Sequence, residues 1–406
     1  GWLPLVRDDS DNLIPGDKVI LIAEDDVNFS LILLECARRA GFKGIVVQRG
    51  DLILPLIQKF RPNAVTLDIR LPDMDGWRVL DLLKHDPQTR HIPIQVISGD
   101  EDWLRSRRFG AWDCLQKPVE ADQLAAAFGR LKEFLAADKR QLLIVREEGK
   151  VRNAWVELLA GEGIAIRLVE TGAEALRLLR ETDFDCLLLD WTLPDMIALD
   201  LLEKVRSGYG SARTPFLLAV PSDINAKDEQ KIRRIARSIV LKQVESPEKM
   251  LDEATLYLHR PETGLAEPLK RLLDKHHKTD PVLSRKKVLI VDDDVRNIFA
   301  LTSVLERQKI EVIHAENGRD GIRMLESHLD VDAVLMDVMM PDMDGYETVR
   351  AIRKMSRFKN LPIIALTAKA MKGDREKCIE AGASDYIAKP VEINQLLSML
   401  RVWINR

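Results

Sequence analysis

Net charge is almost absent from this chain: 61 basic residues stand against 65 acidic ones, leaving −4 at neutral pH. That balance excludes a global electrostatic pull toward nucleic acid or an anionic membrane surface. Cysteine is sparse. Cys36, Cys114, Cys186 and Cys378 form no CxxC pair and no metal-ligand spacing. This excludes a disulfide framework and a thiolate zinc site, and fits reduced thiols in a cytoplasmic protein. Long apolar runs are missing too: none approaches the roughly 18–20 residues a membrane-spanning helix needs. No signal-peptide pattern opens the chain. Residues 1–16, GWLPLVRDDSDNLIPG, read as a linker and start abruptly, as though cut from something longer.

Repetition is what the chain has in abundance. One set of residues recurs three times in the same order: acids after an apolar run, an Asp, a hydroxyl residue, a Lys. The first copy reads LIAEDD (Glu24, Asp25), TLDIRLPDMDG (Asp68), QVISG (Ser98) and LQKP (Lys117). The third reads LIVDDD (Asp292, Asp293), LMDVMMPDMDG (Asp337), IALTA (Thr367) and IAKP (Lys389). The second is broken: LIVREE (Arg146, Glu147), LLDWTLPDM (Asp190), LAVPS (Val220) and VLKQ (Lys242). From Asp25, Glu147 and Asp293 to the central Asp is 43, 43 and 44 residues, and from that Asp to the hydroxyl position is 30 each time. Long fixed separations repeated three times define three domains. They span 17–137, 138–260 and 286–406, with residues 261–285 as an insert. Within the insert, LAEPLKRLLDKHH reads as a helix bracketed by Pro261 and Pro281, a semi-rigid spacer.

Each module alternates β-branched runs with amphipathic stretches. In the third, KKVLIV, EVIHA, AVLMD, PIIALT and YIA are strands, and helices follow each. Five strands alternating with five helices predict an α/β fold, a doubly wound parallel sheet. The nearly continuous apolar strands fit burial on both faces. Ligands in such sheets sit at the carboxyl ends of the strands, and the acids, hydroxyl and Lys all fall there.

Three carboxylates converging on one point repel one another unless a cation sits among them, and an all-oxygen set suits Mg²⁺ (or Mn²⁺). The Lys adds a fixed positive charge, the hydroxyl can bond a phosphoryl oxygen, and the central Asp can act as nucleophile to give an acyl phosphate. Lys-Pro at 117–118 and 389–390 permits a cis bond. The Asp-Gly pairs at 75–76 and 344–345 read as turn devices.

These motifs resemble the receiver domains of two-component signalling. The resemblance implies a flavodoxin-like (βα)5 fold, Mg²⁺-dependent acceptance of a phosphoryl group from phosphohistidine, and slow self-hydrolysis. It implies that Asp68 and Asp337 are phosphoacceptors and that Glu24, Asp25, Asp292 and Asp293 bind metal together with them. The carbonyls of Arg70 and Met339, two residues past each acceptor, would complete the metal set. Ser98, Thr367, Lys117 and Lys389 would bind the phosphoryl group. Tyr386 matches a switch aromatic three residues before the Lys, where the first module has Cys114.

The middle module fails specific requirements. Arg146 replaces an acid, Val220 cannot bond a phosphoryl oxygen, Gln243 replaces the Pro after Lys242, and Ile197–Ala198 replace Asp-Gly. Glu147 could still hold metal. An alternative is that Arg146 and Lys242 neutralise Asp190 without metal, making a non-phosphorylated docking module. The first module departs differently: Ser98 to Lys117 is 19 residues against 22 in the other copies, which removes nearly a helical turn near the fourth helix. That shortening predicts that it forgoes the dimer contact receivers make there. Arg70 and Asp100 could pair across its mouth.

The chain thus reads as a triple-receiver array resembling the C-terminal part of a bacterial hybrid sensor histidine kinase. The sequence contains no phosphorylatable-histidine helix and no ATP-binding boxes, so it is not expected to use ATP by itself. Its expected partner is a kinase dimerisation/phosphohistidine domain, in cis or in trans, or a histidine phosphotransfer protein, with no nucleic acid and no membrane contact. The rival reading is a stand-alone scaffold joining a kinase to an effector. A phosphatase acting through an aspartyl phosphate would place a second acid two residues past the nucleophile, where Arg70, Thr192 and Met339 stand.

Overall fold

The computed structural model describes residues 6–99, 103–208, 213–221, 223–277, 282–368 and 372–404. The chain forms two compact units, Gly1–Leu273 and Asp274–Arg406. The first unit holds two five-stranded sheets and the second unit holds one.

In the first module the strands are β1 (Val19–Ala23), β2 (Lys43–Val47), β3 (Ala64–Asp68), β4 (Ile94–Ser98) and β5 (Asp113–Gln116). The helices are α1 (Val27–Arg39), α2 (Ile53–Phe60), α3 (Gly76–His85), α4 (Trp103–Arg108) and α5 (Ala121–Ala136). In the second, β6 (Arg140–Val145), β7 (Ile164–Val169), β8 (Cys186–Leu189), β9 (Phe216–Ala219) and β10 (Leu241–Val244) alternate with helices. These are α6 (Lys150–Leu159), α7 (Gly172–Glu181), α8 (Ala198–Arg206), α9 (Ala226–Ile235) and α10 (Pro247–Tyr257), and α11 (Glu267–His277) follows. The second unit contains β11 (Lys287–Val291), β12 (Glu311–Ala315), β13 (Ala333–Asp337), β14 (Ile363–Thr367) and β15 (Asp385–Ala388). Its helices are α12 (Val295–Arg307), α13 (Gly318–Ser327), α14 (Gly345–Lys354), α15 (Lys372–Ala381) and α16 (Ile393–Ile404).

Among the described residues every strand-to-strand pairing is parallel, in the orders β2-β1-β3-β4-β5, β7-β6-β8-β9-β10 and β12-β11-β13-β14-β15. This is the flavodoxin-like doubly wound order. The strands are apolar along their length because both faces are covered: VILIA in β1 and AVLMD in β13 are buried at every position. In the second module one core cluster holds Leu143, Leu187 and Phe216, and another holds Leu142, Leu188 and Leu217. Alternate residues of one strand thus feed opposite sides. Helices begin where side-chain acceptors meet free N–H groups, as at Asp26, Thr171, Asn225, Asn317 and Asp344.

Two segments read as connectors are packed instead. In residues 6–16, Asp8 accepts from the N–H of Val46 at 2.8 Å and Asp9 from that of Gly44 at 2.9 Å, both on the edge strand β2. Asp9 also pairs with Arg38 at 2.9 Å, and Val6 joins the core. Two aspartates in a loop-like composition thus cap an edge that would otherwise stand open. The insert does contain the expected helix, α11, but Leu265 and Leu273 are buried in the second module's core. It is a docked element there because its apolar residues face that core; Pro281 lies outside the described residues.

The first unit is closed by contacts between its two modules. Buried Arg90 pairs with Asp252 at 2.6 Å and Glu262 at 2.9 Å. Phe134 of α5 meets His259 edge-on at 5.5 Å. Leu104 of α4 packs against the second module's core. All four cysteines are free. Among the described residues no helix is long and apolar enough to cross a membrane.

Candidate functional site

Equivalent backbone bonds place the three sites. The N–H groups of Glu24, Arg146 and Asp292 donate to Val47, Val169 and Ala315, one strand over, at 3.0, 3.0 and 3.2 Å. These residues therefore occupy one structural position. The central Asp ends β3 and β13, and follows β8 directly. Lys117 and Lys389 follow β5 and β15, where their N–H groups donate to Ser98 and Thr367 at 2.8 and 2.7 Å. The sheet order therefore brings acids, hydroxyl and Lys to one strand-end edge, as the sequence predicts.

In the first module Lys117 Nζ lies 2.6 Å from Asp68 Oδ2 and 2.9 Å from Glu24 Oε2. Glu24 is buried and Asp25 exposed, and the carboxylates of Glu24, Asp25 and Asp68 offer oxygens within 4.8 Å of one another. Burial pushes the Glu24 carboxyl up to about 7, against the pull of Lys117. Burial also works against the Lys117 ammonium, but its bonds to Asp68 and Glu24 outweigh this and raise it above its ordinary value.

In the second unit Lys389 Nζ lies 2.9 Å from Asp292 and 3.0 Å from Asp337. Asp292, Asp293 and Asp337 form the second carboxylate triad, again within 4.8 Å. Burial raises Asp337 above the usual carboxylate range, with Lys389 pulling the other way. The N–H of Arg70 donates to Asp68 at 2.9 Å and that of Met339 to Asp337 at 3.3 Å. Ser98 and Thr367 are buried beside the acids. Tyr386 packs with Tyr346 against Val338, Ala365, Cys378 and Ala383. Both Lys-Pro bonds are cis. Either triad supplies the all-oxygen set a hard divalent cation takes.

The middle site is built otherwise. Arg146 Nη1 lies 2.8 Å from Asp190 Oδ2, and the guanidinium rests 4.6 Å from the Trp155 ring centre. Burial raises Asp190, and Arg146 offsets it. Lys242 does not share in this neutralisation: its ion pair is with Glu253, at 4.0 Å. Glu147 is exposed and belongs to neither triad found among the described residues. Val220 packs against the core.

Several contacts escape sequence reasoning. Asn297 Nδ2 donates to both Asp292 oxygens, at 3.2 and 3.3 Å. Its counterpart in the first module, five residues past the first acid, is Phe29, whose ring centre lies 4.6 Å from Lys117 Nζ. Comparing the copies at this offset (Phe29, Val151, Asn297) would have flagged it. The Asp-Gly pairs are more than turns. Asp75 and Asp344 cap α3 and α14. A Cβ on Gly76 would lie 2.6 Å from the carbonyl oxygen of Asp68, so a side chain there would force the backbone around Asp68 to shift. The proposed Arg70–Asp100 pair involves Asp100, outside the described residues.

Comparison with known proteins agrees with this geometry. The response regulator receiver domain model matches residues 20–129, 142–254 and 288–401. The chain therefore belongs to the response regulator receiver domain family, with three such domains in tandem. The chain is 37% identical over 127 residues to the sensor protein GacS of Pseudomonas syringae, and 36% identical over 132 residues to the histidine-protein kinase BarA of Shigella flexneri. These matches cover 30% and 31% of this chain but only 14% of each relative's length. Among solved structures, the receiver domain of a Pseudomonas aeruginosa sensor histidine kinase, with magnesium in its active-site cleft, is 36% identical. It covers 30% of this chain and all of that one, at a TM-score of 0.29. These are receiver domains of two-component signalling, related to those of hybrid histidine kinases.

Proposed function

We propose that this chain takes part in a phosphorelay, accepting a phosphoryl group from phosphohistidine onto Asp337 and onto Asp68. The observation that carries this reading is the pairing of each acceptor candidate with two further carboxylates and one lysine at a single strand-end edge. A carboxylate oxygen of Asp337 or Asp68 attacks phosphorus, the phosphorus–nitrogen bond to the imidazole breaks, and an acyl phosphate forms. Lys389 or Lys117 then turns from carboxylate to phosphoryl oxygen, and the hydroxyl of Thr367 or Ser98 donates to another. Water later attacks phosphorus, returning the carboxylate and releasing phosphate. Glu24, Asp25 and Asp68, and Asp292, Asp293 and Asp337, are the residues that would hold Mg²⁺ (or Mn²⁺), with the carbonyls of Arg70 and Met339. When bound, that ion supplies positive charge against the phosphoryl oxygens. Tyr386 would follow the state of Thr367.

Receiver 2 would be a non-phosphorylated docking module, since Arg146 already neutralises Asp190 and Val220 offers no hydroxyl. The donor would be a kinase dimerisation/phosphohistidine domain, in cis or in trans, or a histidine phosphotransfer protein, acting in the cytoplasm. Exposed Val295, Phe299 and Met339, close in sequence to the receiver 3 acids, suit the docking of such a domain.

The test is loading of the whole chain with acetyl phosphate and Mg²⁺, mapped by mass spectrometry after trapping the acyl phosphates. Label is expected at Asp337 and Asp68, lost site by site in Asp337→Asn and Asp68→Asn, with Asp190→Asn leaving the total unchanged. Absence of label from a folded chain sinks the reading in favour of a scaffold.

A further inference from the structure

Receiver 2, with the insert docked on it, grips receiver 1 on both sides of the strand that carries Ser98. Ahead of β4, the Arg90 guanidinium donates to Asp252 Oδ1 at 2.6 Å, to Glu262 Oε1 at 2.9 Å and to the carbonyl of Asp252 at 3.2 Å. The same loop is tied down from within receiver 1, where buried Lys84 donates to the carbonyls of Arg90 and Ile92 at 3.0 and 2.6 Å. Beyond β4, Leu104 of α4 packs on receiver 2's core. Arg107 donates to the carbonyl of Arg213 at 2.8 Å, and Tyr257 donates to that of Arg108 at 3.3 Å. The turn closing α4 is Gly110, at φ +88°, where a Cβ would meet Leu256 at 2.9 Å. Glycine there lets α10 approach this closely.

Arginine cannot shed its charge, so buried Arg90 depends on its two carboxylates. The helix held by receiver 2, α4, has six residues, against ten in both α9 and α15. β4 has little freedom of its own: it pairs with β3 on one side and β5 on the other, ending on Ser98 beside Gln116.

We propose that receiver 2 is the built-in partner of this side of receiver 1, and that the clasp of Arg90 on Asp252 and Glu262 restrains β4 and α4 and so slows phosphoryl uptake at Asp68. This inference rests on the reading of Asp68 as an acceptor. Holding a phosphoryl group there requires Ser98 and Lys117 to turn toward new oxygens. Neither β4, which ends on Ser98, nor α4, which follows it, can shift without straining the contacts that flank them to receiver 2. A packed, charge-matched interface has discrete arrangements rather than a continuum, so the restraint acts as a barrier.

The test uses the full chain, acetyl phosphate and Mg²⁺. Asp68 attacks phosphorus, acetate leaves, and the aspartyl phosphate is counted separately at Asp68 and at Asp337, which lies in the other unit and serves as the reference. Asp252→Asn combined with Glu262→Gln, and independently the milder Leu256→Ala, are expected to raise the initial rate at Asp68 relative to Asp337 about fivefold or more, the low end of couplings between sites. Hydrogen exchange over residues 103–110 should quicken in the same variants. An unchanged or lowered Asp68-to-Asp337 ratio in both variants overturns the coupling while leaving Asp68 an acceptor. Label at Asp337 with none at Asp68 in parent and variants removes the acceptor reading of Asp68, and the coupling with it.

Discussion

At the scale of single residues, the first acidic position separates the three receivers. Glu24, Arg146 and Asp292 hang from the same backbone bond, yet each faces the central Asp differently. Glu24 reaches Lys117 with both oxygens, at 2.9 and 3.1 Å, and its carboxyl sits at about 7 because it is buried. Between its ordinary 4.5 and that value the folded chain holds a proton that the unfolded chain lacks. Stability from this group therefore falls as pH rises through the interval, and a cation at the site must displace the proton. Calorimetric titration with Mg²⁺ on the Asp337→Asn chain is expected to show affinity falling by up to about tenfold per pH unit below neutrality. Affinity that does not change with pH would argue against a role for Glu24 in the site. The acids, hydroxyls and lysines were legible in the sequence because each recurs at fixed spacing. Asn297 and Phe29 were not, because they share an offset but no chemistry. Arg90 was invisible because its partners lie 162 and 172 residues away.

At the scale of elements, strand order and helix alternation followed from apolar periodicity, while the packed connectors did not. Residues 6–16 look like loop by composition, and only the placement of β2 at an edge gives Asp8 and Asp9 their donors. The shortening of α4 was legible from spacing; what covers that side of receiver 1 was not. The start of α14 carries a prediction. A Cβ at Gly345 would fall on the carbonyl oxygen of Asp337 and 2.7 Å from the Cα of Val338. Gly345→Ala should destabilise receiver 3 by about 1–3 kcal/mol, as overpacking does, and slow labelling at Asp337. Urea unfolding and site-resolved labelling together check it. Receiver 2 carries Ala198 at this position and keeps the bond from its N–H to the carbonyl of Trp191, at 2.9 Å.

At the scale of the whole molecule, two sites that would answer to a divalent ion are joined in one chain to a third that carries its own cation. Adding Mg²⁺, or removing it with a chelator, is expected to change hydrogen-exchange protection at the strand ends around Asp68 and Asp337 and to leave those around Asp190 as they were. Protection around Asp190 that tracked the ion would undo this division. Arg146 cannot dissociate, dilute or be chelated; its concentration at Asp190 is fixed by the peptide bond. On the proposed reading, receiver 2 would give receiver 1 a fixed reference level. Swings in ionic composition that would bias the other two sites would then leave the Arg146–Asp190 pair of receiver 2 in place.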